Sequence, residues 1–468
     1  MVTVPINLTG GTYSHKSLPI SSQITRNFWP QLLDDDPFVK SKYILESFLG
    51  QKTFGSATGV SRGLFAHKGI LYRVCGEKLY RVDSSGTHTE LGAVPGVARC
   101  VFGSLTVDII IVTDGKVYIY NGSSIIQATD SDLESPKTVT VLNNQAIYDG
   151  LAGRFCVSDV GDASSVNGLN YATAESKPDD LLRVYAFGQV LYLFGQETIE
   201  QWWNSGTGNP PFNRIEGGIL ETGLGAINSV ADDGNHVYFL GDDKEVYQVQ
   251  SSSFEKITPR PLSDELASYN TVGDAIGWCM NIRGQDFYVL TLPEGNKTFV
   301  YPRGGQWFEW SSGATGGRNR SNSYVYCYGR HFVEDYQNGN IYELDHNTYT
   351  ETGDAIIRMR DSGALHGGLF GAPGKRITMN SLEIIMESGV GAVSGQGSDP
   401  VIMLSFSDDG GRTFGTEIWG NIGQLGQFLY EVKWDCLGSF ESRVIRIRTS
   451  DPVNYSIHSA VADIEVGI

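Results

Sequence analysis

Residues 405–415 read SFSDDGGRTFG, and within them Ser407, Asp409, Gly411, Thr413 and Phe414 fall in the order S-x-D-x-G-x-T-F. This is the pattern of an Asp-box, a turn that recurs in sialidases and other glycan-processing β-propellers. The chemistry at stake is therefore glycoside hydrolysis. A sialidase needs a Tyr nucleophile, an acid and an arginine cluster around the substrate carboxylate. The residues of the pattern have work in the turn itself. Asp409 can accept backbone N–H groups, Gly411 supplies an unusual backbone conformation, and Phe414 packs beneath. None of these jobs is catalytic, and the pattern occurs once, near the C-terminal end. The expectation is a structural turn, with a glycan-binding or sialidase-like propeller as the alternative.

Other candidate chemistry is thinner. GVSRG at 59–63 matches the nucleophile elbow G-x-S-x-G around Ser61. That motif works on a strand-to-helix turn above a parallel sheet, and LFAHKGILYRV, which follows, carries no helical pattern. The acidic runs at 34–36, 130–132, 179–180, 232–233 and 242–243 lack the alternating Asp spacing and distal Glu of a calcium loop, and read as solvated loops. The sequence contains no P-loop, dinucleotide fingerprint or H-E-x-x-H. The six cysteines share no C-x-x-C spacing and read as free thiols, several in apolar strands. No catalytic residue, cofactor or metal site is expected.

The elements that would carry these residues are short strands. ILYRVCGEKLYRVDSSG places Gly76-Glu77 between two Leu-Tyr-Arg-Val strands, and DIIIVTDGKVYIYNGSS places Asp114-Gly115 at a tight hairpin. Looser copies begin near residues 154, 191, 237, 287 and 332. A period of about 40–50 residues, with two or more strands per unit, is that of propeller blades. One hairpin cannot bury both faces, so the units must stack and close. The expected fold is all-β: a propeller of six or seven blades over 56–353, then a separate β-sandwich-like platform over 354–468. Residues 1–55 read as an irregular segment packing on the platform, with FWPQLLDDDPF as a loop.

Composition agrees with many strands and tight turns: 57 glycines, 23 tyrosines and 21 phenylalanines in 468 residues, with only 16 prolines. The net charge is −18, and no basic cluster offers a face for phosphates. The first residues lack a basic and apolar leader, and no apolar run is long enough to span a bilayer. A soluble chain made in the cytoplasm is expected.

Two segments carry a specific resemblance. GVSRGLFAHKGILYRVCGEKLYRV (59–82) closely resembles part of the tail hub, or nozzle, proteins of short-tailed phages of enteric bacteria, also called packaged-DNA stabilisation proteins. YATAESKPDDLLRVYAFGQVLYLFGQETIEQWW (171–203) is similar to the same family's Ala-Glu-Ser…Pro-Asp stretch and its following Thr-Ile-Glu strand. SFSDDGGRTFG and RVIRIRTSDPV resemble the ends of such proteins. The resemblance implies a non-enzymatic virion component with no cofactor. It implies a homohexameric ring in the tail, assembled in the host cytoplasm below the head–tail adaptor (connector) ring. It further implies contacts with tailspikes or fibres and a needle-like plug, and double-stranded DNA passing through the lumen without sequence-specific binding. It suggests six blades where the hairpins number seven, the one near 154 then belonging elsewhere.

Overall fold

Each alternating hairpin grows, in the computed structural model, into a four-stranded antiparallel meander. The structure describes residues 2–11, 21–33, 41–174, 180–250 and 253–467; the acidic run 34–36 and Asp179 fall outside them. The meanders begin at Ser61–His67, Val101–Leu105, Val139–Leu142, Leu181–Phe187, Ala231–Asp232, Ile276–Ile282 and Ser321–Cys327. That makes seven blades. The first strands of neighbouring blades meet, so they form the inner ring around the propeller axis. The strand Arg154–Asp159 is the third of the third blade, so the hairpin near 154 belongs to the ring.

Alternation explains why these sequences make blades. In Asp108–Thr113, Ile109 and Ile111 pack with Tyr72, Val74 and Leu79 of the first blade. Ile110 and Val112, from the opposite face, pack with Val139, Ala146 and Tyr148 of the third. A strand covered on both faces reads as an unbroken apolar run, here DIIIVT. Each such side chain contributes about 1.5–3 kcal/mol on burial. The turn that follows has positive φ at both Asp114 (49°) and Gly115 (71°), as a tight hairpin requires.

The ring closes with a strand from far away in sequence. Gly50–Ser56 pairs antiparallel with Asn340–Asp345 as the fourth strand of the seventh blade. Gly86 of the first blade lies hard against it. A Cβ on Gly86, whose φ is +91°, would stand 2.0 Å from the carbonyl oxygen of Phe54. The seam between first and seventh blades also holds Arg73 and Glu334, both fully buried and 3.8 Å apart. Tyr328 donates its hydroxyl to the Val82 carbonyl (2.7 Å) and accepts from the Leu71 amide (3.1 Å).

The N-terminal region is therefore not irregular. Its described residues form five strands, and FWPQLL, expected as a loop, contributes the strand Phe28–Leu32. Val2–Ile6 and Tyr43–Ser47 pair with Ser456–Val466, which pairs with Ile377–Met386, in one sheet of the C-terminal sandwich. Arg358–Asp361, Ser442–Thr449, Val401–Ser407 and Ile418–Asn421 make the facing sheet. Ile6, Phe28, Leu382, Leu404, Ile447 and Ile464 share the core between the two sheets. Ile24–Arg26 extends the second sheet to the sixth blade, pairing with Arg358–Asp361 on one side and with Glu309 on the other. Arg360, fully buried, donates to the carbonyls of Leu8 and Gly10, the Thr25 hydroxyl and the Gln23 amide oxygen. One guanidinium thus fastens the N-terminal segment to the platform. Sequence patterning could not find Val2–Ile6, Ile24–Arg26 and Gly50–Ser56, because their partners lie some 280 to 460 residues away, whereas Phe28–Leu32 pairs with its neighbour Tyr43–Ser47.

Candidate functional site

The Asp-box lies where Val401–Ser407 leaves the second sandwich sheet. Asp409 Oδ1 accepts the Ser407 hydroxyl (2.6 Å) and the amides of Arg412 (2.9 Å) and Thr413 (3.0 Å). Its Oδ2 accepts the Thr413 hydroxyl (2.6 Å), and the Gly411 amide donates to Ser407 Oγ (2.8 Å). Gly410 and Gly411 both take positive φ, 81° and 89°, and Gly411 also approaches Ser22, whose Cβ would be 2.7 Å from an added methyl. Phe414 stays half-exposed, with the Arg446 guanidinium 3.5 Å from its ring centre. The Ser407 and Thr413 hydroxyls, then the Thr413 amide, hold the exposed Asp409 carboxyl well below the usual carboxylate range. A group that keeps its charge so firmly has no proton to give a leaving group at neutral pH.

Arginines do gather beside this turn, from the alternating run RVIRIRT. Each is already answered by a carboxylate. Arg443 forks onto Asp408 at 2.7 and 2.8 Å, Arg446 onto Asp361 at 2.7 and 2.7 Å, and Arg448 reaches Glu417 at 2.5 Å. Arg443 is further sandwiched between the rings of Phe406 and Phe440. Substrate-binding arginines must hold open donors for an incoming carboxylate. These spend theirs on the protein.

The remaining candidates sit apart from the Asp-box and from each other. Ser61 opens the inner strand of the first blade, buried, donating to the Asn338 carbonyl (2.9 Å) and accepting from Arg73. It is part of the seam rather than an exposed elbow. The acidic runs read as solvated loops instead fasten turns. Asp130 accepts the amides of Asp132 and Val166, Asp233 those of Asn235 and His236 with the Tyr238 hydroxyl, and Asp243 the Tyr247 hydroxyl. Four of the six free cysteines are buried, Cys279 is partly so and Cys436 is exposed. Burial pushes the Cys100 thiol up to about 11, far from thiolate chemistry.

A cavity of about 530 Å³ lies between the helix Arg260–Ser268, the sixth blade and Ile24–Arg26. Its carboxylates are also engaged: Glu265 with Lys297 (2.6 Å), and Glu309 with Arg26 (2.7 Å) and Lys297 (3.3 Å). Burial raises the Glu309 carboxyl, but Lys297 and Arg26 outweigh it and leave the group below its ordinary value. The open groove over the third and fourth blades is lined by Leu169, Tyr171, Trp202, Asn213 and Arg214 with no carboxylate.

Comparison with known families decides the class. The family model described as bacteriophage P22 Gp10, beta-propeller, matches residues 2–349, and that described as bacteriophage P22 Gp10, beta-sandwich, matches 364–465. The chain belongs to the bacteriophage P22 Gp10 family. As a Gp10-family member it is a structural protein of a phage tail, placed in the virion. Its matched boundaries fall at the junction between the ring and the sandwich. The start of the propeller match at residue 2 agrees with the closing strand Gly50–Ser56 being drawn from the N-terminal region.

No curated protein sequence matches this Gp10-family chain. Solved structures that resemble it include virginiamycin B lyase from Staphylococcus aureus (TM-score 0.46, 9% identity, 63% of this chain and 98% of that one). A computationally designed protein, Ika8, aligns with TM-score 0.43 and 8% identity over 63% of this chain and 100% of its own. The WD40 domain of Neurospora crassa Pan2 aligns with TM-score 0.43 and 9% identity, over 67% and 97%.

Sequence reasoning about this Gp10-family protein missed its buried arginines. Arg62, Arg73, Arg358 and Arg360 are almost fully enclosed, yet arginine is ordinarily read as surface. The signal available was local: Arg358 and Arg360 alternate with Met359 in IIRMRD, a run too apolar for an exposed loop.

Proposed function

We propose that the chain forms a homohexameric nozzle below the head–tail adaptor ring, which completes the head, retains packaged DNA and conducts it during ejection. Family membership supports the reading, and charge is the observation that carries it. Each chain bears −18, so six copies bear six times that, about −108. The arginines beside the Asp-box are neutralised within the chain, leaving no open cationic fork there for phosphates. A conduit needs such a wall: repulsion keeps a duplex from adhering, over a reach of roughly 8 Å at physiological ionic strength.

Copies so acidic must meet through uncharged surface. From Ile418 to Tyr430 there is no Asp, Glu, Lys or Arg, and Trp419, Phe428 and Leu429 are 67%, 72% and 98% exposed. Ile418–Asn421 is the edge strand of its sheet, so the segment offers both an unpaired edge and apolar side chains to a neighbour. The adaptor ring, the tailspike or fibre and the needle-like plug then contact the ring rather than a lone subunit. Native mass spectrometry and imaging of the purified chain, alone and with a connector ring, test this. The expected species is a six-fold ring of six times 51.1 kDa. A monomer in both samples, or turnover of sialosides by the pure protein, would overturn the reading.

A further inference from the structure

Two surfaces of this acidic protein carry exposed apolar side chains and no carboxylate, and they lie at opposite ends of it. One is segment 418–430 of the sandwich. The other is the open groove of about 660 Å³ at the outer rim between the third and fourth blades. Leu169 and Tyr171 stand on one face of Asp162–Thr173, 73% and 43% exposed. Trp202 lines the groove from the fourth blade, its ring fixed by an edge-on contact with Phe155 and by the bond from its Nε1 to Glu200 (2.8 Å). Asp162–Thr173 is the last strand of its blade and pairs on one side only, so its backbone edge is open as well.

Topology keeps the two surfaces apart. The sandwich joins the ring at the sixth and seventh blades, where Ile24–Arg26 pairs at Glu309 and Thr350–Glu351 pairs with Gly50–Ser56. The boundary between the third and fourth blades is three blades from that one, the greatest separation a ring of seven allows. Ile418–Asn421 is in turn the fifth strand beyond the sixth blade in one continuous sheet. At about 4.8 Å per strand this carries it roughly 24 Å further out. Neither surface can cover the other within one chain.

Their charges are complementary. Arg214 lines the groove, and its nearest carboxylate among the described residues, Glu200, stands 3.9 Å away. Glu431 closes the segment and is exposed, while the lysine that follows, Lys433, sits beside Asp435 at 3.8 Å. We infer that segment 418–430 of one copy seats in the groove between the third and fourth blades of the next copy, head to tail. The contact would take large apolar side chains out of water at both ends of the chain, with a cation on one rim and an anion on the other. Two unlike surfaces make a heterologous contact, which repeats from copy to copy and closes into a ring where the rotation allows. Segment against segment would instead close at two copies and leave the groove bare. The inference deepens the nozzle reading and rests on it for closure at six.

Native mass spectrometry and sedimentation of full-length variants test it. Phe428→Asp with Leu429→Asp alters the segment, and Leu169→Asp with Arg214→Glu alters the groove. All four positions are exposed, so the unfolding midpoints should stay close to that of the wild type. Each double variant alone should lose assembly, the contact weakening about tenfold or more. Mixed in equal amounts, the two keep one intact segment and one intact groove between them, and should form a heterodimer and nothing larger. Should either double variant fold poorly, Leu429→Ser and Leu169→Ser repeat the comparison. A groove variant that assembles like the wild type would overturn the contact and assign the groove to a different partner, with the nozzle reading left standing. A mixture that yields no heterodimer would overturn the contact in the same way. A wild type that stays monomeric at all concentrations would overturn the contact and the nozzle together.

Discussion

The propeller seam and the Asp-box face of the sandwich both set arginines against carboxylates, but they do so under opposite conditions. At the seam Arg73 and Glu334 are wholly buried and 3.8 Å apart. On the sandwich the forks close to 2.7–2.8 Å, and at least one partner of each pair reaches solvent. Burial raises the Glu334 carboxyl, and Arg73 only partly offsets it. A buried, loosely fitted pair is a weak source of net stability, because desolvating two charges costs about what their attraction returns. It is a strong source of selection. A seventh blade in the wrong register would leave either charge alone in the core. The seam pair therefore makes closure specific, while the sandwich pairs rigidify a face whose folding is assured by its own core.

Breaking the seam should have the larger effect. Arg73→Met leaves Glu334 uncompensated and strips donors from the Gly339 carbonyl and Ser61, and should cost about 3–5 kcal/mol in urea unfolding. Adding Glu334→Met to it should recover much of that loss, since the pair replaced by apolar volume is often neutral. If the single and double variants are equally destabilised, the charge account of the seam fails and packing alone sets its stability.

Gly86→Ala probes the same closure without touching a charge. The new methyl would stand 2.0 Å from the Phe54 carbonyl, at a backbone φ of +91° that side chains avoid. The closing strand must shift, and the expected loss is about 2 kcal/mol, with hydrogen exchange quickening first in Gly50–Ser56 and Asn340–Asp345. An unchanged midpoint and exchange pattern would mean that this contact does not constrain the ring.

The contrast also explains what could be read beforehand. The blades were legible because each is local: Ile109 to Val112 alternate between two cores, and Asp114-Gly115 announces its turn within a few residues. The Asp-box was legible for the same reason, since all its hydrogen bonds lie within six residues. The closing strand GQKTFGS was not. It is polar, bears two glycines and finds its partner almost 300 residues on. The pairing of Arg446 with Asp361 spans 85 residues and leaves no local trace, so the partners of the arginines in RVIRIRT could not be read from the sequence.

The smallest expected effect lies at Asp409, and its sign is set by titration. The hydroxyls of Ser407 and Thr413 and the amide of Thr413 depress its carboxyl below the value of about 3.9 that an unfolded Asp shows. The folded state therefore binds the proton less readily than the unfolded state. Its stabilising share is fully present above the unfolded value and is lost as pH falls through the lower folded one. Asp409 is exposed, so solvent screens its charge and the share is small. Asp409→Asn keeps the shape and one acceptor but cannot ionise. The stability difference between wild type and variant should be constant from about pH 6 to 8, and should shrink below about pH 4. The seam variants should show no such acid-limb dependence from this turn. A difference that grows on acidification would mean that Asp409 is protonated in the folded protein, and would return it to consideration as an acid rather than the hinge of a turn.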